Sequence, residues 1–212
     1  MAAATLPLFD TSTGRYDEAE VHILNAAHRV FMRRGTAGAR MQEIANEADV
    51  TKSTVHYYFR SKDRLADAVF LRALTESYDR FREALDTEGP FEHTVRALVE
   101  SNLQMIEDYP YLAGYIMTEL HQQPERCEQA VRAVPGCREK IDAKIDAAVA
   151  SGEIVPTTTA ELSANLLSLT LFPAIGKGFV RPLAGLNEAE WDEMMQVRAE
   201  RVTAFYMRAM RR

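Results

Sequence analysis

Val50-Thr51-Lys52-Ser53-Thr54-Val55-His56-Tyr57-Tyr58-Phe59-Arg60-Ser61-Lys62-Asp63-Arg64-Leu65 decides how the rest of this chain is read. The stretch opens on a threonine suited to cap a helix, because its hydroxyl accepts a backbone N–H that a helix start leaves unpaired. Polar, cationic and aromatic side chains then crowd one face, and Ser61 offers a second cap for the helix that follows. Just upstream, Gln42-Glu43-Ile44-Ala45-Asn46-Glu47-Ala48 reads as another short amphipathic helix, with Asp49 in the tight turn between the two. Two short helices joined by so short a turn predict a helix-turn-helix, whose second helix enters the major groove of DNA.

Working outward, a helical period begins at Asp17. Val21, Leu24, Ala27 and Phe31 form one apolar stripe with Ile23 and Val30 beside it, and Gly35 stands where a C-cap glycine belongs. Further helices are expected over 41–48, 52–59 and from 62 toward 85. Thr87-Glu88-Gly89-Pro90 breaks the pattern, which resumes over 91–108 through Val95, Leu98, Val99, Leu103 and Ile106 and ends at Pro110. A short apolar helix is expected over 111–121, then helix over 125–150 interrupted at Pro135-Gly136 and closed by Ser151-Gly152-Glu153. Residues 159–175 are almost wholly apolar or small, and 187–212 reads as one long final helix led by Glu188, Glu190 and Trp191. No segment alternates with period two for long enough to argue a sheet, so the chain reads as all-α without repeats. The expected organisation is a flexible arm at 1–15, a helix-turn-helix domain at 16–64, and a larger helical ligand-binding and dimerisation domain at 65–212.

The 212 residues suffice for a real core, and 47% hydrophobic with 26% charged content describes a folded globular chain rather than a disordered one. The net charge of -6 is unevenly placed: residues 28–64 hold 8 Lys or Arg against 4 Asp or Glu, and the remainder holds 17 against 27. A basic module on an acidic body suits a protein of which one end approaches a polyanion. Chance clustering would give the same numbers, and charge alone does not separate the two readings. Cys127 and Cys137 are the only cysteines, with no CxxC and no paired histidines, so neither zinc nor a disulfide framework is indicated. The first ten residues lack a basic n-region, and no run approaches the roughly 18 apolar residues of a membrane span. A soluble, cytoplasmic protein without a membrane partner is the expectation.

At these residues the chain resembles the TetR family of bacterial transcriptional regulators. The matching pieces are Ile23-Leu24, Ala26-Ala27, Phe31, Gly35, Ile44-Ala45, Ala48, Val50-Thr51, Thr54-Val55, Tyr57-Tyr58-Phe59 and Ser61-Lys62-Asp63-Arg64-Leu65, in order and at the family's spacing over roughly 16–70. Three positions depart from the pattern. Asp49 replaces the usual turn glycine, although Asp tolerates a left-handed backbone better than most residues. Arg40-Met41 stand where a capping threonine is common, and His56 stands where tyrosine is frequent.

The resemblance implies that Gln42, Lys52, Ser53, Thr54 and His56 face the major groove. Gln can pair with adenine, Lys can donate to guanine, and the Thr methyl can meet the thymine methyl; the alternative is an ordinary solvated helix surface. Arg40, Tyr57, Tyr58 and Lys62 are expected to position the phosphate backbone, while Val55 and Phe59 belong to the core. In the larger domain, Asn102, Met105, Tyr109, Tyr111, Tyr115, Met117, Glu119, His121 and Phe172 line a ligand cavity on one reading and are plain core on the other. Glu119 and His121 lie two apart on different helix faces with no nucleophile motif nearby, so no catalytic residues, cofactor or metal are expected and the protein is not read as an enzyme. Leu162, Leu166 and Leu169, with Trp191, Met195, Val202, Phe205 and Tyr206, are expected to build a two-fold homodimer contact, unless both apolar faces are used inside one subunit.

The function implied is a dimeric, ligand-responsive, sequence-specific regulator, a repressor on a pseudo-palindromic double-stranded operator, with a largely apolar small-molecule effector. Two readings from other classes stand beside it. An effectorless DNA-binding regulator would bind no ligand, and a helical ligand carrier or enzyme would bind its ligand regardless of operator DNA.

Overall fold

The computed structural model describes residues 17–114, 117 and 136–211, and of residues 74–77 the backbone alone. The described chain is all helical and falls into two compact units, one ending at Glu76 and the other beginning at Ser77. The expected arm at 1–15, the end of the expected 111–121 helix and residues 118–135 lie outside the described residues; helical backbone is present at 112–114.

In the first unit, α1 (Glu18–Gly38) starts on a reciprocal cap: the Glu20 N–H donates to Asp17 Oδ1 at 2.8 Å, and the Asp17 N–H donates to Glu20 Oε2 at 2.9 Å. Gly35 takes a positive φ of 66° with ψ 167°, a backbone open essentially to glycine alone but not the αL shape of a C-cap, and the chain then adds one more turn to Gly38, so the glycine kinks α1 rather than ending it. Next come α2 (Met41–Glu47), α3 (Lys52–Phe59) and α4 (Lys62–Leu85). Ile23, Leu24 and Phe31 of α1 bury completely, as do Ile44 of α2, Val55 of α3 and Leu65 of α4. That shared apolar set fixes the short helices, which alone would be too short to persist in water. Since α4 runs from 62 to 85, it contributes residues to both units.

The second unit contains α5 (Phe91–Asp108), α6 (Cys137–Ala150), α7 (Thr159–Leu183), α8 (Glu188–Gln196) and α9 (Arg198–Met210). Its core joins Leu85, Phe91, Val95, Val99, Ile141, Ile145, Leu162, Leu166, Val202, Tyr206 and Met207, with α5 packed against α7 and α9. Cys137 is a free thiol, and Cys127 lies outside the described residues.

Two further boundaries differ from the sequence reading. The helix expected over 159–175 continues to Leu183 with Pro173 and Pro182 inside it. The single helix expected over 187–212 is broken at Val197 (φ −94°, ψ 8°) into α8 and α9. These two differences are linked. Proline at 173 has no N–H, so the Leu169 carbonyl four residues earlier loses its usual helical donor. Arg198, the residue immediately after the break, turns inward and supplies one, donating from Nη2 to the Leu169 oxygen at 2.9 Å.

Candidate nucleic-acid interface

The turn between α2 and α3 is built from local chemistry. The Ala48 N–H donates to the Ile44 carbonyl at 2.9 Å, Asp49 adopts a left-handed backbone (φ 49°), and the Val50 N–H returns to the Ala45 carbonyl at 3.0 Å. Asp in place of glycine is therefore accommodated, as its short polar side chain allows. Thr51 then caps α3, its Oγ1 accepting from the Thr54 N–H at 3.1 Å, and Ser61 caps α4 by accepting from the Arg64 N–H at 3.2 Å. Arg40 begins α2 without a side-chain cap, although its own N–H donates to Glu43 at 3.1 Å.

Longer-range polar contacts clamp this motif to α1. His22 Nε2 lies 2.9 Å from the Ala48 carbonyl. Glu47 accepts from Arg29 Nε at 2.7 Å and from Arg33 Nη2 at 2.5 Å, while Arg34 pairs with Glu43 at 3.4 Å. The Arg29 hydrogen bond, with further help from Arg33, outweighs partial burial and holds the Glu47 carboxyl below its ordinary range. Three of the eight cations in the basic stretch thus serve the scaffold. Arg40, Lys52, Arg60 and Arg64 are exposed, and half-buried Lys62 donates to the Ala37 carbonyl at 3.2 Å, which leaves two of its three N–H groups for another acceptor.

On α3, Lys52, Ser53, His56, Tyr57 and Arg60 are exposed, Thr54 is half-buried, and Val55 and Phe59 are buried as expected. Tyr57 is 75% exposed, unusual for a large aromatic ring, and stands edge-on to Tyr58 at 5.2 Å. Tyr58 lies close enough to the first turn of α1 that partial burial, followed by the carboxylate of Asp17, raises its hydroxyl above the ordinary range. Gln42 is exposed on α2, and its Nε2 donates to Asn46 Oδ1 at 2.9 Å. The expected DNA-facing residues thus lie on the helix-turn-helix and the start of α4, exposed or half-buried outside the Val55–Phe59 seam.

Three participants escaped the sequence reading. Asn46 holds the Gln42 amide, and its i, i+4 spacing from Gln42 was a usable signal. Arg60 sits at the α3–α4 junction with a positive φ of 60°, a conformation costly for a non-glycine residue that no local sequence feature announces. Glu47 draws both of its cations from a helix 14 to 18 residues away, beyond the reach of any local pattern.

In the second unit, Met105 and Tyr109 are buried, Asn102 and Tyr111 are half-buried, and Tyr109 meets Tyr111 edge-on at 6.3 Å. Phe172 is 56% exposed on α7, with its ring against Gly176. Tyr115, Glu119 and His121 lie outside the described residues, and Met117 is exposed. An open cleft of about 590 Å³ lies elsewhere, between α6 and the start of α7, lined by Arg138, Asp142, Ile145, Asp146, Thr157–Thr159, Ala160 and Ser163. None of the expected ligand residues borders it.

The expected dimer residues need correction. Leu162, Leu166, Val202 and Tyr206 are buried in the subunit's own core, Trp191 is buried as well, and Leu169 and Met195 are half-buried. Only Phe205, 63% exposed, is presented outward. The reason lies in helix geometry: at about 3.6 residues per turn, Leu162, Leu166, Thr170 and Pro173 share the inward side of α7. The opposite side carries Leu167, Phe172, Ile175 and Phe179, all exposed, and runs on to Leu183.

Among the described residues no group of His, Cys, Asp and Glu is placed to hold a metal, and no helix is long and apolar enough to cross a membrane. Residues 23–69 match the family model described as bacterial regulatory proteins, tetR family. The chain is 30% identical over 152 residues to the HTH-type transcriptional regulator UidR of Escherichia coli strain K12, covering 70% of this chain and 76% of that protein. Over a shorter stretch of 91 residues it is 37% identical to the HTH-type transcriptional activator FasR of Mycolicibacterium smegmatis, covering 43% of this chain and 42% of that one. In fold it is similar to a TetR/AcrR transcriptional regulator from Thermobifida fusca, with a TM-score of 0.65 at 19% identity over 90% of this chain and 99% of that one.

Proposed function

Because the chain belongs to the TetR family of DNA-binding transcriptional regulators, and is not an enzyme, we propose that it is an effector-responsive repressor that binds a pseudo-palindromic operator as a homodimer. The observation that carries this reading is the exposed face of α3. Cationic, hydroxyl, imidazole and phenol groups stand there outside a buried Val55–Phe59 seam, on a helix capped by Thr51 and preceded by an α2 that is clamped to α1 through Glu47. Such groups suit base edges and phosphates, and a clamped helix presents them in one geometry. Lys52, Ser53, Thr54, His56 and Gln42 are the proposed base readers, with Arg40, Tyr57, Tyr58 and Lys62 on the backbone and Arg60 added to them.

For the dimer, the corrected face supports the proposal better than the original one. Leu167, Phe172, Ile175, Phe179 and Leu183 of α7 form an apolar stripe that leaves large side chains in water unless another surface covers it, and Phe205 of α9 adds to the exposed apolar area. Self-association of one such face on two copies is isologous and closes, and a two-fold pair is what a pseudo-palindromic operator calls for, its half-sites being about one helical turn, roughly 34–36 Å, apart. Repression is the simpler output, because occupying the groove excludes other proteins by itself, whereas activation requires a further contact; the relative FasR is an activator.

Members of this family bind small-molecule effectors as well as operators. We place this chain's effector in the second unit, near Asn102, Met105, Tyr109 and Tyr111; Tyr115 and Glu119, expected with them from the sequence, lie outside the described residues. The apolar and phenolic chemistry of that set suits a mostly apolar molecule held by one or two hydrogen bonds. Helix α4, shared by the two units, is the proposed lever. An effector acts only through different affinities for the DNA-bound and free forms, so linkage supplies the test. A compound that weakens operator binding by some factor should itself bind more weakly, by the same factor, when operator is present. Ligand binding indifferent to operator would favour a carrier, and a screen that yields no ligand would favour an effectorless regulator.

A further inference from the structure

We infer that Thr54 reads a thymine through its methyl group and not through its hydroxyl, an assignment that rests on the regulator reading above. The Thr54 hydroxyl is already engaged. Its Oγ1 lies 2.9 Å from Thr51 Oγ1, and the same Thr51 oxygen accepts the Thr54 backbone N–H at 3.1 Å. One capping oxygen therefore holds both the first turn of α3 and the side-chain rotamer of its third residue. A threonine side chain occupies staggered positions about χ1, so turning Oγ1 back toward the cap sends the methyl into another of them. Turning the hydroxyl outward by rotation about χ1 would give up the Thr51 contact, whereas the methyl is free to meet a base with that contact kept.

The position fits a reader. Thr54 is half-buried, next to exposed Ser53 and two residues before exposed His56, near the N-terminal end of a helix whose buried side is made by Val55 and Phe59. Residues near the start of a recognition helix are those that reach base edges. In the major groove, thymine is the base that offers a methyl group, and an apolar contact discriminates it from every other base.

The test uses the full-length protein, a duplex selected from random sequence, and single thymine-to-uracil replacements, which remove the C5 methyl and leave base pairing intact. Wild type should lose about fourfold in affinity at one thymine per half-site, the value expected for one buried methyl-sized group. Thr54→Val, which keeps a branched apolar side chain, should retain that penalty at the same thymine; Thr54→Ser, which keeps only the hydroxyl, should lose it. Uracil tolerated at every position by wild type, an undiminished penalty in Thr54→Ser, or its loss in Thr54→Val would each overturn the assignment while leaving the regulator reading in place. Failure of wild type to select any duplex would overturn both.

Discussion

Arg198 is predicted to substitute for the hydrogen bond that Pro173 removes from α7. Deleting the arginine alone is a poor test, since two effects oppose each other. Arg198→Met removes the 2.9 Å bond to the Leu169 carbonyl, a contact from a charged donor that is typically worth about 1.5–3 kcal/mol. It also removes a buried Nε that has no partner, and a guanidinium whose charged form is disfavoured by burial first and by Arg201 second. A double-mutant cycle separates the terms. In Pro173→Ala the new backbone N–H at 173 can reach the Leu169 carbonyl, so the arginine's bond becomes dispensable while its other liabilities remain. Arg198→Met should therefore be less destabilising, or more stabilising, in the Pro173→Ala background than in wild type, by about 1.5–3 kcal/mol. Urea unfolding followed by Trp191 is suited to the measurement, because Trp191 is the single tryptophan, is buried, and lies in the same unit as both substitutions. Additivity within about 0.5 kcal/mol would refute the account of this helix–helix junction.

Glu47 gives a pH prediction: its folded-state pKa is depressed, so its stabilising contribution is present above the ordinary glutamate range and disappears as pH falls through the lower folded value. Glu47→Gln should remove that part of the acid dependence, read by circular dichroism of the first unit's melting between neutral and acid pH, and an unchanged acid profile would discount the Arg29–Glu47–Arg33 clamp. Phe179→Glu and Phe205→Asp should each convert the dimer to a 23.9 kDa monomer in sedimentation at micromolar concentration, whereas Met195→Ala should not; a wild type already monomeric would contradict the proposed face. Lys62→Ala should weaken all duplexes alike and lower the salt slope by about one, while His56→Ala should alter sequence preference; competition assays against selected and scrambled duplexes at several salt concentrations distinguish the two outcomes.

What the sequence made legible follows the range of the interactions concerned. The Thr51 and Ser61 caps, the left-handed Asp49 turn and the Val55–Phe59 seam are local, and each could be read from residues within a few positions of one another. The face of α7 could not. From 159 to 175 leucines and small residues occur around the whole helix, so periodicity does not say which leucines turn inward, and Leu162 and Leu166 are found in the subunit's own core. Deciding it takes the neighbouring α5, whose Val95 and Val99 join them in the core. The break at Val197 escaped for a similar reason: no glycine or proline marks it, and its counterpart is a proline 24 positions earlier on another helix. Polar partners such as Arg29 and Glu47 are likewise distant in sequence, so an arginine that serves the scaffold looks the same as one that meets a phosphate.

Whether the α2–α3 surface reads duplex DNA as part of a two-fold pair is decided by selecting bound fragments from random duplex with the purified full-length protein. An inverted repeat should be enriched, with half-site centres about one helical turn, roughly 10 base pairs, apart or a multiple of it, and His56→Ala should abolish or alter that enrichment. Recovery of no motif at low and moderate salt, or of a single unrepeated half-site, would contradict it.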